Sequence, residues 1–270
     1  DANLFNLNET YKLISTIKPD VIINAAAKVG GIQANNTNRT SFIIDNLKIN
    51  LNVLESCIQF PEIKIINLGS SCIYPLNAEN PISESAIMTG KLEPTNSPYA
   101  MAKLSAIEIG NALHLEYGHT VINLMPTNLY GPGDNFSQDD SHVIPGLISR
   151  MHDSKEQSKD VFKIWGSGKP LREFLYVDDL SNCIEYILSN EITDDLINVG
   201  SGEEISILEL VHLVAETIDF TGELIFDSTK PDGNPRKKID SSKILDYGWR
   251  SKVKLSEGLK TTYDWYLDNI

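Results

Sequence analysis

The chain has 270 residues, a net charge of −14 and hydrophobic and charged fractions of 41% and 22%, the proportions of an ordinary globular protein. The acidity argues against a nucleic-acid partner, because binding to phosphates needs a basic surface. The widely spaced Cys57, Cys72 and Cys183 indicate no disulfide framework and no metal site, and they favour a cytoplasmic compartment. The apolar stretches fall well short of the roughly 20 residues that a membrane span needs.

Strand and helix patterns alternate over the first half of the chain. Apolar, β-branched runs predict strands within residues 19–28, 63–70 and 120–133, and helical spacing predicts helices over 40–60 and 97–118, the second with Ser97 as its N-cap. This order predicts an α/β, Rossmann-like doubly wound parallel sheet. Right-handed crossovers then bring "NAAAKVGG", "LGSSCIYP" and "MPTNLYGPG" to one edge of the sheet, where ligands bind.

The pattern becomes shorter and more mixed after about residue 132. Helices are predicted over 139–154, 206–218 and 255–269, with short strands between them. We therefore expect a first domain over 1–131, to which segments near 172–200 return, and a smaller mixed α/β domain over 132–270.

Tyr99 and Lys103 stand four residues apart in "YAMAK", so a helix presents them on one face. A nearby ammonium favours the phenolate and is expected to lower the tyrosine pKa from about 10, which suits proton transfer near neutral pH. The alternative is a plain surface contact, since any amphipathic helix yields such pairs. Ser70 stands 29 residues before Tyr99, at the end of a predicted strand.

This layout resembles the extended branch of the short-chain dehydrogenase/reductase superfamily, whose triad is Ser or Thr, Tyr and Lys. "NAAA", "SSCIYP", "PYAMAK", "NLYGPGD", "REFLYVDD" and "NVGSG" follow one another in the order of that branch. The resemblance implies a nucleotide-sugar epimerase, dehydratase or reductase, with Ser70, Tyr99 and Lys103 as its triad.

A narrower resemblance is to the GDP-4-keto-6-deoxy-D-mannose 3,5-epimerase/4-reductase family, through "AAAKVGGI", "GSSCIYP", "SHVIP" and "KPDG". It implies epimerisation at C3 and C5 and then reduction at C4 with NADPH. Cys72 would be the base and His142 the acid, two groups of types that titrate near neutral pH. Ser70 and Tyr99 would bind the C4 oxygen. The alternatives are a buried, inert Cys72 and a His142 that bonds the backbone at a helix start.

Other positions follow from the same resemblance. Ser70 and Cys72 would point to the same side of the chain, and Ser71 to the other, if the extended geometry continued. The implied cofactor positions for NADP are Ala26, Leu68, Ser70, Lys103, Pro126, Asn128, Leu129 and His142. The implied substrate positions are Arg150, Trp165, Arg172 and Asp232. The alternatives are solvated surface charges and, for Trp165, core packing.

The family's glycine-rich turn, G-x-x-G-x-x-G, does not precede "DANLFNL". We expect that roughly the first 40 to 50 residues of the natural protein lie outside this chain, since that turn joins the first strand to the first helix. The preference for NADP over NAD then depends on the resemblance alone. By analogy with the family, a homodimer through helices 41–58 and 98–117 is expected.

Three other functions remain open. A nucleotide-sugar 4-epimerase or 4,6-dehydratase is the first, although dehydratases usually carry acidic residues after the triad serine and "SSCIYP" has none. A Cys/His hydrolase is the second, but it leaves Tyr99 and Lys103 unused and lacks a G-x-S-x-G motif. A non-catalytic protein that binds sugar nucleotides is the third.

Overall fold

A computed structural model describes residues 1–138, 140–230 and 232–270 of the chain. The chain forms two compact units, each assembled from separate segments. The first unit comprises Asp1–Ala78, Glu84–Pro126 and Ile184–Val199. The second comprises Glu79–Ser83, Thr127–Cys183 and Gly200–Ile270.

Helices and strands alternate along the chain. The helices are α1 (Leu7–Ile17), α2 (Ile32–Thr37), α3 (Arg39–Cys57), α4 (Ser97–Tyr117), α5 (Val143–Glu156), α6 (Val177–Ser189), α7 (Ile207–Ile218), α8 (Ser242–Asp246) and α9 (Leu255–Asn269). The strands are β1 (Val21–Asn24), β2 (Lys64–Leu68), β3 (Val121–Pro126), β4 (Asn128–Tyr130), β5 (Val161–Trp165), β6 (Leu171–Tyr176), β7 (Leu196–Val199), β8 (Glu204–Ser206), β9 (Glu223–Asp227) and β10 (Arg236–Lys237).

A four-stranded parallel sheet organises the first unit, in the order β1-β2-β3-β7. Its strands are apolar runs, and β3 and β7 are buried along their whole length, as strands covered on both faces are. The predicted parallel α/β sheet is thereby confirmed. Because the strands are parallel, their carboxyl ends share one edge of the sheet.

Helix α4 begins and ends close to the predicted positions. Pro98 lies in its first turn, and Gly118 ends it in the left-handed region at φ 76°, a conformation that glycine adopts without strain. The N-cap is Asn96, so the expectation that Ser97 caps the helix is wrong by one residue. The Glu93 carboxylate accepts the N–H groups of Thr95 and Asn96 instead.

A row of buried asparagines crosses the sheet of the first unit. Asn24, Asn67 and Asn123 are aligned on β1, β2 and β3. The Asn24 amide donates to Asn67 Oδ1 at 3.1 Å, and the Asn67 amide donates to Asn123 Oδ1 at 3.1 Å. The Asn123 amide continues the row to the Asp195 carbonyl, just before β7. Asn50 of α3 accepts a further bond from Asn24. Side-chain amides thus connect β1, β2 and β3 with one another and with the residue just before β7.

The second unit is built from shorter strands around its own core. Strands β10, β6 and β4 form one parallel sheet to which β8 adds an antiparallel strand, and β5 pairs with β9. The core includes residues of α5, α7 and α9, among them Leu147, Val211 and Leu259. Helix α5 begins at Val143 rather than at the predicted residue 139, which lies outside the described residues.

Over residues 1–138, 140–230 and 232–270, no helix is both long enough and apolar enough to cross a membrane.

Candidate active site

The segment "LGSSCIYP" begins at the last residue of β2 and turns sharply. Ser70 is extended, at φ −161°, and Ser71–Ile73 form a 3-10 turn. The extended geometry on which the shared side of Ser70 and Cys72 depended does not continue, but the turn still brings the two side chains together. Ser70 Oγ lies 2.7 Å from Cys72 Sγ and accepts the Cys72 N–H at 3.3 Å. Ser71 is buried.

Helix α4 places the predicted Tyr–Lys pair beside this turn. Lys103 is buried, and its Nζ donates to the Leu68 carbonyl at 2.7 Å. The same Nζ lies 5.8 Å from the centroid of the Tyr99 ring. Tyr99 is buried and hydrogen-bonds the Ser70 side chain. Ser70, Cys72, Tyr99 and Lys103 thus form one cluster within the first unit.

Burial controls the protonation of this cluster. It raises the pKa of Tyr99 above its ordinary value, with a smaller contribution from Cys72 in the same direction and an opposing one from the Ser70 hydrogen bond. The expectation of a lowered Tyr99 pKa is therefore wrong, because the cost of desolvating a phenolate dominates. Burial lowers the pKa of Lys103 to about 8, against an opposing effect of Cys72. Tyr99 consequently holds its proton at neutral pH, as a proton donor must.

The Lys103 pKa of about 8 gives a testable pH dependence. The ammonium is charged below this pKa, so the cofactor-binding role that the resemblance implies for Lys103 predicts that kcat/KM for the nicotinamide cofactor falls as the pH rises through about 8. The arginine of Lys103→Arg keeps its charge over this range. The fall of kcat/KM on the alkaline side should therefore move to higher pH in this variant, even if the variant is slower at every pH. Stopped-flow measurement of cofactor oxidation between pH 6 and 10 gives both profiles. If the alkaline fall of kcat/KM were at the same pH in Lys103→Arg, a group other than Lys103 would be responsible for it.

The segment after β1 packs against the same cluster. Ala34 of α2 and Phe42 of α3 form a buried apolar cluster with Tyr99, and Cys72 packs on it. The buried Asn35 amide donates to the carbonyls of Gly30 and Gly31, at 2.7 and 3.1 Å. The sequence does not predict this apolar packing around Tyr99, because its contacts join residues far apart in the chain.

Three predicted cofactor positions lie at the carboxyl edge of the sheet. Leu68 ends β2, Pro126 ends β3, and Ala26 follows β1 by two residues. Lys103 uses one of its three N–H groups to bind the Leu68 carbonyl. Its other two N–H groups are suited to bind the hydroxyls of a ribose. These residues fit a nicotinamide dinucleotide at this edge.

The second unit carries the remaining cofactor positions. Asn128 and Leu129 lie on β4, and the Asn128 amide donates to the Glu173 carbonyl at 2.8 Å. His142 is exposed at the N-cap position of α5 and makes no side-chain capping bond, so the alternative of a His142 that caps the helix is wrong. Burial raises the pKa of Asp134, and His142 opposes that shift; this acidic neighbour of His142 was not predicted.

The two predicted arginines of the second unit are partly buried cations. Arg150 Nε donates to the Gly146 carbonyl at 2.8 Å. One Arg172 nitrogen donates to the carbonyls of Leu171 and Asn234, both at 2.7 Å. Burial lowers the pKa of both guanidiniums, and nearby Asp232 opposes this effect for Arg172. Each retains further N–H donors of the kind that bind a diphosphate.

Trp165 and Asp232 lie on exposed parts of the second unit. Trp165 is 68% exposed, and the Lys230 ammonium lies 5.9 Å from its ring centroid; the core-packing alternative is therefore wrong. The Asp232 carboxylate accepts the Ser167 N–H at 2.8 Å and its hydroxyl at 2.6 Å. These bonds join the segments around Trp165 and Asp232.

A parallel α/β sheet with Ser, Tyr and Lys side chains clustered at the end of a strand is the arrangement of short-chain dehydrogenases and reductases. Residues 1–200 match the NAD dependent epimerase/dehydratase family. The chain belongs to this family, which confirms the resemblance seen in its motifs.

Several relatives are similar over the whole chain. "GDP-L-fucose synthase 1" of Arabidopsis thaliana is 50% identical over 270 residues, which are 100% of this chain and 84% of that protein. "GDP-L-fucose synthase" of Escherichia coli (strain K12) is 41% identical, over 100% of this chain and 87% of that protein. The structure of a GDP-L-fucose synthetase from Naegleria fowleri bound to NADP has a TM-score of 0.89 and 28% identity, covering 100% of this chain and 84% of that one.

Proposed function

We propose that this chain catalyses the GDP-L-fucose synthase reaction, in which GDP-4-keto-6-deoxy-D-mannose is epimerised at C3 and C5 and reduced at C4 to GDP-L-fucose. The observation that supports it is the cysteine in contact with the triad serine, 2.7 Å from Ser70 Oγ and packed beside Tyr99. A reductase alone needs Ser, Tyr and Lys, whereas epimerisation needs a base as well. The relatives named for this reaction, at 50% and 41% identity, support the same substrate.

Epimerisation begins at the carbons next to the C4 ketone. Cys72, as its thiolate, takes a proton from C3, and the C–H electron pair moves into an enolate whose charge rests on the C4 oxygen. Ser70 and Tyr99 donate hydrogen bonds to that oxygen. His142 then gives a proton to the opposite face of the carbon. Cys72 releases its proton to solvent and His142 takes one up from solvent, after which C5 follows the same course. One C–H bond breaks and one forms at each carbon, so no electrons are gained or lost.

Reduction then uses the same groups around the C4 oxygen. NADPH, when bound, supplies the hydride. Tyr99 gives its proton to the C4 oxygen, and its raised pKa keeps that proton available. Lys103 binds the nicotinamide ribose from its place against the Leu68 carbonyl. Ser70 holds the C4 oxygen where Tyr99 can protonate it while the hydride reaches C4.

The two units have different roles in this proposal. The first, with Ala26, Leu68 and Pro126 at its sheet edge, binds NADP. The second binds the GDP-sugar and also carries the cofactor positions Asn128, Leu129 and His142. Arg172 contacts the diphosphate, and Asp232 accepts hydrogen bonds from the sugar or the base. Asn128, Leu129 and His142 complete the proposed cofactor site. Arg150 and Trp165 complete the proposed substrate site. A cytoplasmic location suits the free cysteines.

The experiment follows both halves of the reaction together. The protein is incubated with NADPH and GDP-4-keto-6-deoxy-D-mannose in deuterated water, and absorbance at the NADPH band is recorded. We expect NADPH oxidation that depends on the substrate, with deuterium at C3 and C5 of the product. Oxidation without deuterium at these carbons would show a plain 4-reductase. Deuterium exchange or sugar conversion without NADPH oxidation would support another nucleotide-sugar enzyme.

A homodimer through α3 and α4 is part of the proposal. Ile44 and Leu51 of α3 and Met101 of α4 are 43%, 46% and 46% exposed, which is unusual for large apolar side chains on two helices that pack together. A second copy of the chain would cover them. Sedimentation equilibrium should give twice the chain mass for the wild type and one chain mass for Ile44→Asp; a monomeric wild type would contradict the dimer.

A further inference from the structure

Glu173 is a completely buried carboxylate next to Arg172 on β6. Its Oε1 accepts the Gly202 N–H at 2.7 Å, and its Oε2 accepts the Ile239 N–H at 3.4 Å. Lys238 is the charged group that acts on it, yet the Lys238 ammonium donates to the Gly202 carbonyl at 2.7 Å. Backbone N–H groups therefore bind both oxygens of this carboxylate, and the Thr127 hydroxyl also acts on it.

These bonds hold the Gly202 turn on both sides. Its N–H is bound by Glu173 and its C=O by Lys238. Gly202 is at φ 81°, a conformation suited to glycine. A Cβ on Gly200 would collide with the Glu173 carboxylate, so this glycine is needed for the close approach. Glu173 and the "NVGSG" motif thus fit one another.

The backbone carbonyl of Glu173 binds a different segment, at the start of β4. Its carbonyl accepts the Thr127 hydroxyl at 3.1 Å and the Asn128 amide at 2.8 Å. Its chain neighbour Arg172 binds the Asn234 carbonyl, in the segment before β10. Glu173 therefore connects β4, the Gly202 turn and the segment after β10, and its neighbour Arg172 adds the segment before β10.

A buried carboxylate is a costly way to fill space, since an apolar side chain avoids its desolvation. From these contacts we infer that Glu173 is a positioning residue, which fixes the Asn128 amide and the Arg172 guanidinium relative to one another. The inference rests on the proposed function, in which Asn128 is a cofactor position and Arg172 binds the diphosphate. Burial also raises the pKa of Glu173, while Gly202, Ile239, Lys238 and Thr127 oppose that shift.

The test is Glu173→Gln, which keeps the shape of the side chain and removes its charge. Glu203→Gln is the matched control, because Glu203 is exposed and adjoins Gly202. We expect KM for the GDP-sugar and for NADPH each to rise about tenfold in Glu173→Gln, as a lost charge-assisted bond shifts both groups, with kcat within about threefold of the wild type. Glu203→Gln should match the wild type. A lowered Tm with both KM values unchanged would overturn the inference.

The pH dependence separates positioning from stability. The wild-type KM values should rise as acid neutralises Glu173, whereas those of Glu173→Gln should not respond to that titration. If Glu173→Gln does not fold, Lys238→Met releases the Gly202 turn from its other side and should raise both KM values; unchanged values would then overturn the inference.

A readout without turnover distinguishes failure of the proposed function from failure of this inference. In 15N-labelled protein, Glu173→Gln should move the backbone amide resonance of Gly202 and the side-chain amide resonances of Asn128. Movement of both supports the coupling even if the GDP-sugar is not a substrate. Movement of Gly202 with Asn128 unchanged would overturn the coupling even in an active enzyme.

Discussion

Tyr99→Phe is expected to lower kcat for reduction at C4 about a thousandfold, the size of effect of a general acid. Phe keeps the edge contact of the ring with Phe42, whose centroid lies 6.3 Å away, so the fold should remain. The hydroxyl, its bond to Ser70 and the proton for the C4 oxygen are lost together. Single-turnover oxidation of NADPH with an already epimerised 4-keto sugar measures this step.

Tyr117→Phe is the matched control for this variant. Tyr117 is the last residue of the same helix, and it is 48% exposed. The control should reduce the sugar at the wild-type rate. If Tyr99→Phe did so as well, Tyr99 would not be the proton donor, and the triad assignment would fail.

Cys72→Ser should separate the two halves of the reaction. We expect deuterium exchange at C3 and C5 to fall at least about a hundredfold, because a serine hydroxyl is a far weaker acid than a thiol and cannot act as the base. Reduction of an already epimerised sugar should fall less than about threefold, since Ser70, Tyr99 and Lys103 remain. Mass spectrometry of the recovered sugar measures the exchange.

The other cysteines provide the control for this prediction. Burial raises the pKa of both Cys57 and Cys183 to about 12, so these thiols stay protonated at neutral pH. Cys183→Ser should retain both exchange and reduction. Equal loss of both steps in Cys72→Ser would contradict the role of Cys72 as base and would indicate damage to the common site.

The parallel sheet and the cluster around Tyr99 were predictable because their signals are local. Apolar runs define the strands, and the spacing of Tyr99 and Lys103 on one helix brings both to the same strand end. The turn at Ser71–Ile73 was not predictable, since an extended segment and a 3-10 turn have similar composition. The Tyr99 pKa was predicted in the wrong direction because it depends on burial by distant residues such as Ala34 and Phe42.

The site positions of the second unit were likewise predictable only in part. Family motifs selected Arg172 and Asp232, but their partners, the Asn234 carbonyl and Ser167, depend on how separate segments meet. Glu173 escaped notice because a glutamate in a strand is usually an exposed residue. The partners of its buried carboxylate are Gly202 and Ile239, 29 and 66 residues further along the chain.

Because of the asparagine row, the residue that is tolerated at one position depends on the residues that its neighbours carry. Exchange of Asn67 alone for leucine would leave the Asn123 side-chain amide oxygen without its donor, at a cost of about 1–3 kcal/mol. Joint exchange of Asn24, Asn50, Asn67 and Asn123 for apolar residues would remove these donors and acceptors together, which is nearly neutral in principle. Related chains should therefore carry amides at all four positions or at none, and those with a single amide should be rare.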